Sequence, residues 1–482
     1  MITFLLIAML PLLMALLGLI PRTARRLPSA AAILMLVQIP LVIWRCLPVF
    51  SGKTISYGAF HIDGMGAAFT IITTLVAAAA MVQAALLLPA ERKEGHKITD
   101  RRFCFFYTLS GAFILAMYAV PLTQHIGYLW MAVEATTLMS APLINYHRGR
   151  DSLEATWKYL LLCSVGIAFA LFGTVLILAA QHAFRNGETM MLTELMARAK
   201  DMDPRLLRLG FIFCLLGYGT KAGIFPLHNW LPDAHSESPS PVSAMLSGAL
   251  LNCALVAIWR LSQVMLASGQ SELVYQLLVP AGAITVIAAS LMLVKQHDLK
   301  RMLAYSSVEH VGLLTLAIGI GSGQLFILHA FNHSIVKVAL FLMAGAILHV
   351  YGTRELSKLG GILKASPLWG IVLIAAGFAI AGSPPFGTFI SEWLLIRDTF
   401  ASGEIAAAIV MIIGLTITFI AITTHVGRVV FGHERNPAKT APVRVWALTP
   451  AFLMVISLIA GVAATPQVMR VLNDLARMGV QQ

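Results

Sequence analysis

Apolar runs of about 20 residues, the length that crosses a ~30 Å hydrocarbon core as an α-helix, recur from one end of this chain to the other. Short polar segments rich in Lys and Arg separate them. The pattern predicts about fourteen transmembrane helices, at 2–20, 29–50, 65–88, 103–120, 125–146, 156–180, 206–226, 241–265, 274–294, 302–320, 324–350, 368–397, 404–431 and 443–464. The expected fold class is therefore an all-α membrane protein.

The polar segments indicate how the chain is oriented. The first apolar run, 1–20, has no basic residue before it and no small-residue cleavage motif, so we expect a retained helix rather than a signal peptide. The loops expected on one side hold 21 Lys and Arg residues, Lys300 among them, and the loops on the other side hold 11, including Arg260. Because basic loops stay in the cytoplasm, both termini are expected in the periplasm, with the protein in a bacterial inner membrane.

Two of the predicted helices are interrupted by proline. The helix at 206–226 contains Pro226 beside several glycines, and the helix at 368–397 contains Pro384 and Pro385. Proline removes a backbone donor, and the groups that it frees persist at membrane depth only in a polar cavity or buried in protein. Two ordinary proline kinks are the alternative interpretation.

The interrupted helices hold matching positions along the chain. Each is the fourth of five consecutive helices, in predicted helices 4–8 and 9–13, and the two sets begin in opposite orientations. This arrangement predicts two inverted five-helix repeats, as in secondary transporters. The expected organisation is three N-terminal helices (1–100), a first repeat (101–270), a second repeat (271–435), and a C-terminal helix with a tail (436–482).

Charged residues make up only 12% of the chain, and 58% of the residues are hydrophobic. A charge near the bilayer centre costs roughly 2.5–3.5 kcal/mol on insertion scales, so a charge within a predicted helix indicates a functional role. Four such residues are Glu134, Lys221, Lys337 and Glu392.

Histidines accompany these charges. The helix at 324–350 places His329, His333 and Lys337 at i, i+4 and i+8, on one face and roughly 6 Å apart. Imidazole titrates near neutral pH, so such a file can pass a proton by short hops. A single buried histidine is usually a satisfied core residue, and only the whole set predicts a relay. The candidate relay residues are Glu134, Lys221, His228, His310, His329, His333, Lys337 and Glu392, with Glu309 and His235 near them in sequence.

Several classes of function are not expected. The chain contains no G-x-x-x-x-G-K-[ST], no strand followed by G-x-G-x-x-G, and no H-E-x-x-H. The five cysteines occur singly, without a C-x-x-C pair, which argues against an iron–sulfur or zinc site. We therefore expect a non-catalytic subunit without a cofactor or a metal. The net charge of +12 is explained by the basic loops rather than by nucleic-acid binding.

Four segments carry a resemblance to a known family: KAGIFPLHNWLPDAHSESPSPVSAMLSG (221–248), DLKRMLAYSSVEHVG (298–312), LEATWKYLLLCSVG (153–166) and SPPFGTFISEW (383–393). They resemble the antiporter-like subunits of respiratory complex I, of multisubunit cation/proton antiporters and of group 4 membrane-bound hydrogenases. The last two segments are most similar to the F subunit of hydrogenase-4. The resemblance spans predicted helices 4 to 13 and implies fourteen helices in two inverted repeats.

The resemblance also implies roles for individual residues. It implies that Glu134 pairs with Lys221, that Lys337 is a central lysine, and that Glu392 is the charged residue of the second interrupted helix. The chain departs from the family at Asn252, where many relatives carry a lysine. An amide cannot titrate, so a proton path would have to pass this position through water or by way of Lys337 and its histidines.

The function implied is a proton-translocating subunit of a membrane-bound oxidoreductase complex. Its expected partners are other membrane subunits and, through them, a peripheral arm that carries out the redox chemistry. Three alternatives remain open: a cation/proton antiporter module, a structural subunit that has lost pumping, and the membrane subunit of an inorganic-carbon uptake complex.

Overall fold

The computed structural model describes residues 1–93, 98–181, 187–433, 438, 440 and 443–478. Its α-helices in that part of the chain are α1 (Ile2–Gly18), α2 (Leu27–Phe50), α3 (Gly64–Lys93), α4 (Asp100–Leu122), α5 (Ile126–Ile144), α6 (Arg150–Ala179), α7 (Leu192–Arg198), α8 (Pro204–Ala222), α9 (Trp230–Glu237), α10 (Ser240–Met245), α11 (Leu251–Ala267), α12 (Ser271–Val294), α13 (Leu299–Gly319), α14 (Gly323–Tyr351), α15 (Ile362–Ala365), α16 (Pro367–Ile380), α17 (Gly387–Ala401), α18 (Ile405–Phe431), α19 (Leu448–Val462) and α20 (Pro466–Arg477). A π-helical turn, Leu246–Leu250, joins α10 to α11. An antiparallel hairpin of β1 (Ile55–Tyr57) and β2 (Phe60–Ile62) connects α2 to α3, with Ile55 opposite Ile62.

The helices match the apolar runs of the sequence. Within the described residues, ten helical segments are long and apolar enough to cross a membrane, and α1 and α16 are shorter apolar helices. The prediction of an all-α membrane fold is confirmed. The total of about fourteen spans, the inverted repeats and the domain boundaries stay predictions.

Local sequence signals fix several helix starts. Asp203 precedes α8, and its carboxylate accepts hydrogen bonds from the N–H groups of Arg205 (2.8 Å) and Leu206 (3.0 Å). Asp298 caps α13 in the same way, through the N–H of Arg301 at 2.9 Å. Such caps satisfy backbone donors that have no partner within the first helical turn.

Burial separates central helices from outer ones. The segment formed by α10, the π turn and α11 is wholly buried, and α13 and α14 are nearly so. In contrast, α2, α6, α18 and α19 leave most of their residues at the surface, with exposed apolar side chains such as Leu161 and Ile420. Close packing depends on small residues: a Cβ at Gly312 of α13 would lie 2.8 Å from the Gly282 carbonyl oxygen of α12.

Both proline-containing segments interrupt their helices. The first helix stops at Ala222, Gly223 takes φ 83°, and the chain resumes as α9 at Trp230, with Pro226 in the connection. The second stops at Ile380 and resumes as α17, with Pro384 and Pro385 between them. The peptide bonds Phe225–Pro226 and Pro384–Pro385 are cis.

Two basic residues assigned to loops are buried instead. Lys300 lies at the start of α13, fully enclosed, and its Nζ donates to the Ser238 carbonyl oxygen at 2.5 Å. Arg260 of α11 pairs with Asp63, Nη1 to Oδ2 at 2.9 Å, and Nη2 donates to the Pro121 carbonyl oxygen. Other residues that bear on the orientation lie outside the described residues, namely Lys97, Arg185, Arg435, Lys439 and Gln482, as does the 435/436 domain boundary.

Candidate functional site

Lys221 lies in the last turn of α8 and is fully buried. Its Nζ donates to Thr137 Oγ1 (2.7 Å) and to Tyr159 OH (2.6 Å), and lies 4.6 Å from the centroid of the Tyr159 ring. The Tyr159 hydroxyl shares a further hydrogen bond with Ser140 Oγ at 2.7 Å. The ammonium group is thus held by hydroxyl groups of α5 and α6.

Glu134 of α5 reaches Lys221 through one of these hydroxyls. Its carboxylate accepts from Thr137 Oγ1 and from Ser164 Oγ, both at 3.2 Å. No direct contact joins the carboxylate to the ammonium group in the part of the chain that the structure describes. A hydroxyl can accept one proton and donate another, so Thr137 links the two charges in a single direction, from Lys221 to Glu134. The pair implied by the resemblance is therefore mediated rather than direct.

Three histidines form a second cluster. His310 Nδ1 lies 3.0 Å from His329 Nε2, and His329 Nδ1 lies 2.9 Å from Ser391 Oγ. His310 Nε2 is 3.3 Å from the carbonyl oxygen of Ile380, the last residue before the second helix break. Because a carbonyl can only accept, His310 Nε2 donates there, and a neutral His310 then accepts from His329. The ring of His333 lies 5.1 Å from that of His310.

Lys337 lies one turn beyond His333 on α14. Its Nζ donates to the Leu303 carbonyl oxygen at 2.9 Å and to Ser306 Oγ. Both His333 ring nitrogens are buried without a hydrogen-bond partner among the described residues. Glu309 Oε1 accepts from Ser290 Oγ at 3.4 Å, and its Oε2 has no partner in the same set. The described residues therefore leave these buried polar atoms of His333 and Glu309 without a hydrogen-bond partner.

Asn252 faces α14 beside the π turn. Its amide Nδ2 donates to the Gly248 carbonyl oxygen (3.0 Å) and to Ser334 Oγ (2.9 Å). The Ser334 hydroxyl donates to the same carbonyl oxygen at 2.6 Å. A π turn exposes a backbone carbonyl that an α-helix would use internally, and such turns recur at functional sites. Asn252 therefore ties α11 to α14 next to His333.

Glu392 follows Ser391 in α17 and is 5% exposed. Its Oε1 has no partner among the described residues, and the carboxylate borders a groove of about 260 Å³ between α17 and α18. Gly382, at φ 69° in the helix break, lies so close to this carboxylate that a side chain at position 382 would collide with it. The break thus makes room for the acid.

Of the two histidines that follow the first break, only His235 lies near the histidine cluster, within electrostatic range of His333. His228 stacks on Phe225, with ring centroids 5.4 Å apart, and no hydrogen bond or ring contact among the described residues joins it to another candidate relay residue. His235 is fully buried against Phe341 at 5.2 Å, and neither ring nitrogen has a partner among the described residues. It lies within electrostatic range of both Lys300 and Lys337.

A polar cavity lies over Lys300. It has a volume of about 400 Å³, and Glu91, His147 and Arg354 contribute to its lining. Ion pairs fix its α9 wall: Arg301 Nη1 to Asp233 Oδ1 at 2.6 Å, Lys158 Nζ to Asp233 Oδ2 at 3.0 Å, and Arg354 to Glu237. Sequence patterns did not identify Lys300, Thr137, Tyr159 or Ser391 as site residues, because only their partners in other helices make them significant. No group of side chains suited to a metal ion occurs in the described ranges.

Comparison with known proteins identifies the family. A family model described as "NADH:quinone oxidoreductase/Mrp antiporter, TM" matches residues 123–419, which include every candidate relay residue. The chain belongs to this family. The hydrogenase-4 component F homolog of Methylacidiphilum infernorum is 36% identical to this antiporter-like chain over 414 residues, covering 85% of this chain and 86% of the relative.

Two further comparisons agree. The NADH-quinone oxidoreductase subunit N of Desulforudis audaxviator is 30% identical over 363 residues, covering 74% of this antiporter-like chain and 70% of the relative. A chain in the structure of the membrane-bound sulfane sulfur reductase, an archaeal respiratory membrane complex, has a TM-score of 0.88 at 24% identity, covering 99% of this chain and 98% of that one. The resemblance seen in the sequence is confirmed, and the chain is a multi-pass integral membrane protein.

Proposed function

We propose that this subunit carries protons through the membrane by way of its buried Lys, His and Glu residues. The observation that supports the proposal best is the hydrogen-bonded file His310–His329–Ser391, whose last member precedes Glu392 in the sequence of α17. Its members come from α13, α14 and α17, so tertiary packing brings together groups that are up to 81 residues apart in the sequence. Burying ionisable groups within a membrane costs free energy, so their presence in this protein indicates a functional role.

The proposed relay has two parts. The first joins Glu134 to Lys221 through Thr137, and the second runs from Lys337 past His333 to the file that ends at Ser391, with Glu392 as the next residue of α17. His228 is a candidate member that no described hydrogen bond joins to either part, and its stacking on Phe225 favours a role in packing. Pro226, Pro384 and Pro385 serve to open the helices beside the two parts.

Electrostatics can couple the first part to events elsewhere. When Glu134 is ionised and near, it stabilises the charged form of Lys221. Movement or protonation of Glu134 removes that counter-charge and favours release of the Lys221 proton toward the second part. Because Glu134 is only half-buried, a neighbouring subunit can contact it directly.

The source of energy lies with the partners. The named relatives belong to a hydrogenase and to an NADH-quinone oxidoreductase, so we infer that redox chemistry in partner subunits drives the movement and that this chain holds no redox cofactor. A cation/proton antiporter module is the second candidate, since the matching family model also covers Mrp antiporters.

We place the protein in a bacterial inner membrane with both termini in the periplasm. A reporter enzyme that is active only outside the cytoplasm should therefore be active when it is fused after Gln482.

The decisive experiment is proton translocation by the complex, purified with its partner subunits and reconstituted into vesicles. Lys221→Ala and Glu134→Ala should each leave the complex assembled and strongly reduce translocation. Arg397→Gln, an exposed charge that pairs with its neighbour Asp398, is the matched control and should translocate normally. Normal translocation by both relay variants would contradict the proposal, and sodium-dependent translocation would favour the antiporter alternative.

A further inference from the structure

A basic cleft lies where α1 ends, α2 begins, α3 ends and α4 begins, away from the relay. It has a volume of about 770 Å³, and its lining includes Arg22, Arg25, Arg92, Asp100, Pro28 and Phe103. The proposed relay gives this cleft no role: the polar and ring contacts described for Arg92 stay within the cleft, with Asp100 and Phe103.

The charges of the cleft are not balanced. Arg92 pairs with Asp100 and lies 5.2 Å from the centroid of the Phe103 ring. Arg22 and Arg25 are exposed and have no acidic partner among the described residues. Within the described part of the chain, the cleft therefore presents two guanidinium groups that no acid compensates, beside an apolar floor.

The backbone that carries these arginines is held in place. The Thr23 hydroxyl donates to the carbonyl oxygens of Leu17 (3.0 Å) and Ile20 (2.7 Å), which closes the end of α1. Cys104 Sγ of α4 contacts the Pro21 carbonyl oxygen at 3.8 Å. The site is a preformed concave surface rather than a flexible basic tail.

We propose that this cleft binds the headgroup of an anionic phospholipid of the surrounding bilayer. Guanidinium groups donate paired hydrogen bonds to phosphate oxygens, and basic pockets at the ends of transmembrane helices bind such headgroups. Exposed apolar side chains close in sequence to the cleft residues, Leu19 and Ile20 at the end of α1 and Phe105 of α4, offer contacts for the acyl chains. The two uncompensated charges match the negative charge of one or two phosphodiesters.

The test is native mass spectrometry of the full chain in neutral detergent, titrated with phosphatidylglycerol or phosphatidylcholine. The Arg22→Gln/Arg25→Gln double variant should bind phosphatidylglycerol about 30-fold more weakly, from the usual contribution of each basic residue near a membrane surface. Its binding of phosphatidylcholine should not change. The control is Lys364→Gln/Arg428→Gln, which removes two exposed positive charges outside the cleft and should bind both lipids as the unmodified chain does.

A third variant makes the charge of the cleft more positive, whereas the arginine variant makes it less positive. Asp100→Asn removes the acid that the described residues contribute to the cleft lining and should tighten the binding of phosphatidylglycerol. Equal affinities of the Arg22/Arg25 variant and the control for phosphatidylglycerol would overturn the proposal. Binding of glycerophosphoglycerol, which lacks acyl chains, as tightly as the lipid would overturn it too, because the ligand would then be a free phosphodiester.

Discussion

Replacing Thr137 tests whether its hydroxyl couples the charge of Glu134 to that of Lys221. Thr137→Val keeps the shape of this fully buried side chain but removes the group that accepts from Lys221 (2.7 Å) and donates to Glu134 (3.2 Å). A hydrogen bond to a charged group contributes about 1.5–3 kcal/mol. Losing the bond to the ammonium group should shift the protonation equilibrium of Lys221 by about 10- to 100-fold. We expect translocation by the reconstituted complex to fall at least about tenfold.

The adjacent residue supplies a matched control. Thr136 is equally buried, but its hydroxyl donates to the Val133 carbonyl oxygen of its own helix at 2.6 Å. Thr136→Val should therefore translocate protons almost normally, and Thr137→Ser, which restores the hydroxyl, should recover most of the activity. If Thr137 mediates the coupling, Thr137→Val and Glu134→Gln should be non-additive in a double-mutant cycle. Equal activities of Thr136→Val and Thr137→Val would refute the mediated pair.

Two further predictions concern the second part of the relay and the stability of the fold. Lys337→Met should abolish translocation in vesicles, whereas Asn252→Ala should reduce it only slightly, since Ser334 keeps its own hydrogen bond to the carbonyl oxygen that Asn252 shares. A larger loss of translocation from Asn252→Ala than from Lys337→Met would place the path at Asn252. Asp63→Ala should destabilise the protein by about 3–5 kcal/mol, because it leaves the buried Arg260 unpaired, and its thermal midpoint in detergent should drop accordingly. Burial alone would raise the pKa of Asp63, but Arg260 and a backbone N–H hold that pKa below its ordinary value, so this stabilisation is present above about pH 4 and is lost as the pH falls through the lower folded-state pKa.

The sequence predicted the helices well, and the physical reason is simple. A bilayer requires each spanning segment to satisfy its own backbone hydrogen bonds, so length and apolarity alone determine where helices form. Charges within such runs are rare, which is why Glu134, Lys221 and Lys337 could be singled out. Spacing along one helix also places His329 and His333 on the same face, which requires no knowledge of tertiary contacts.

Partners in other helices could not be predicted in this way. Counting Lys300 and Arg260 as loop charges failed because their partners lie far away in sequence: the Ser238 carbonyl oxygen for Lys300, and Asp63, 197 residues away, for Arg260. A hydroxyl such as that of Thr137 carries no sequence signal of its own. Its position one turn after Glu134 becomes significant only when packing brings Lys221 against it.

The position of Asn252 bears on how the two parts of the relay can communicate. Its amide nitrogen donates two hydrogen bonds among the described residues, to the Gly248 carbonyl oxygen and to Ser334, and these hold α11 to α14. An asparagine so placed has a structural role, and it cannot take up and release a proton as a lysine would. A proton that passes from Lys221 to the second part must therefore travel past α11 rather than through this side chain. We therefore expect any such transfer to depend on Lys337 and His333, which are fully buried on the helix that Asn252 holds in place.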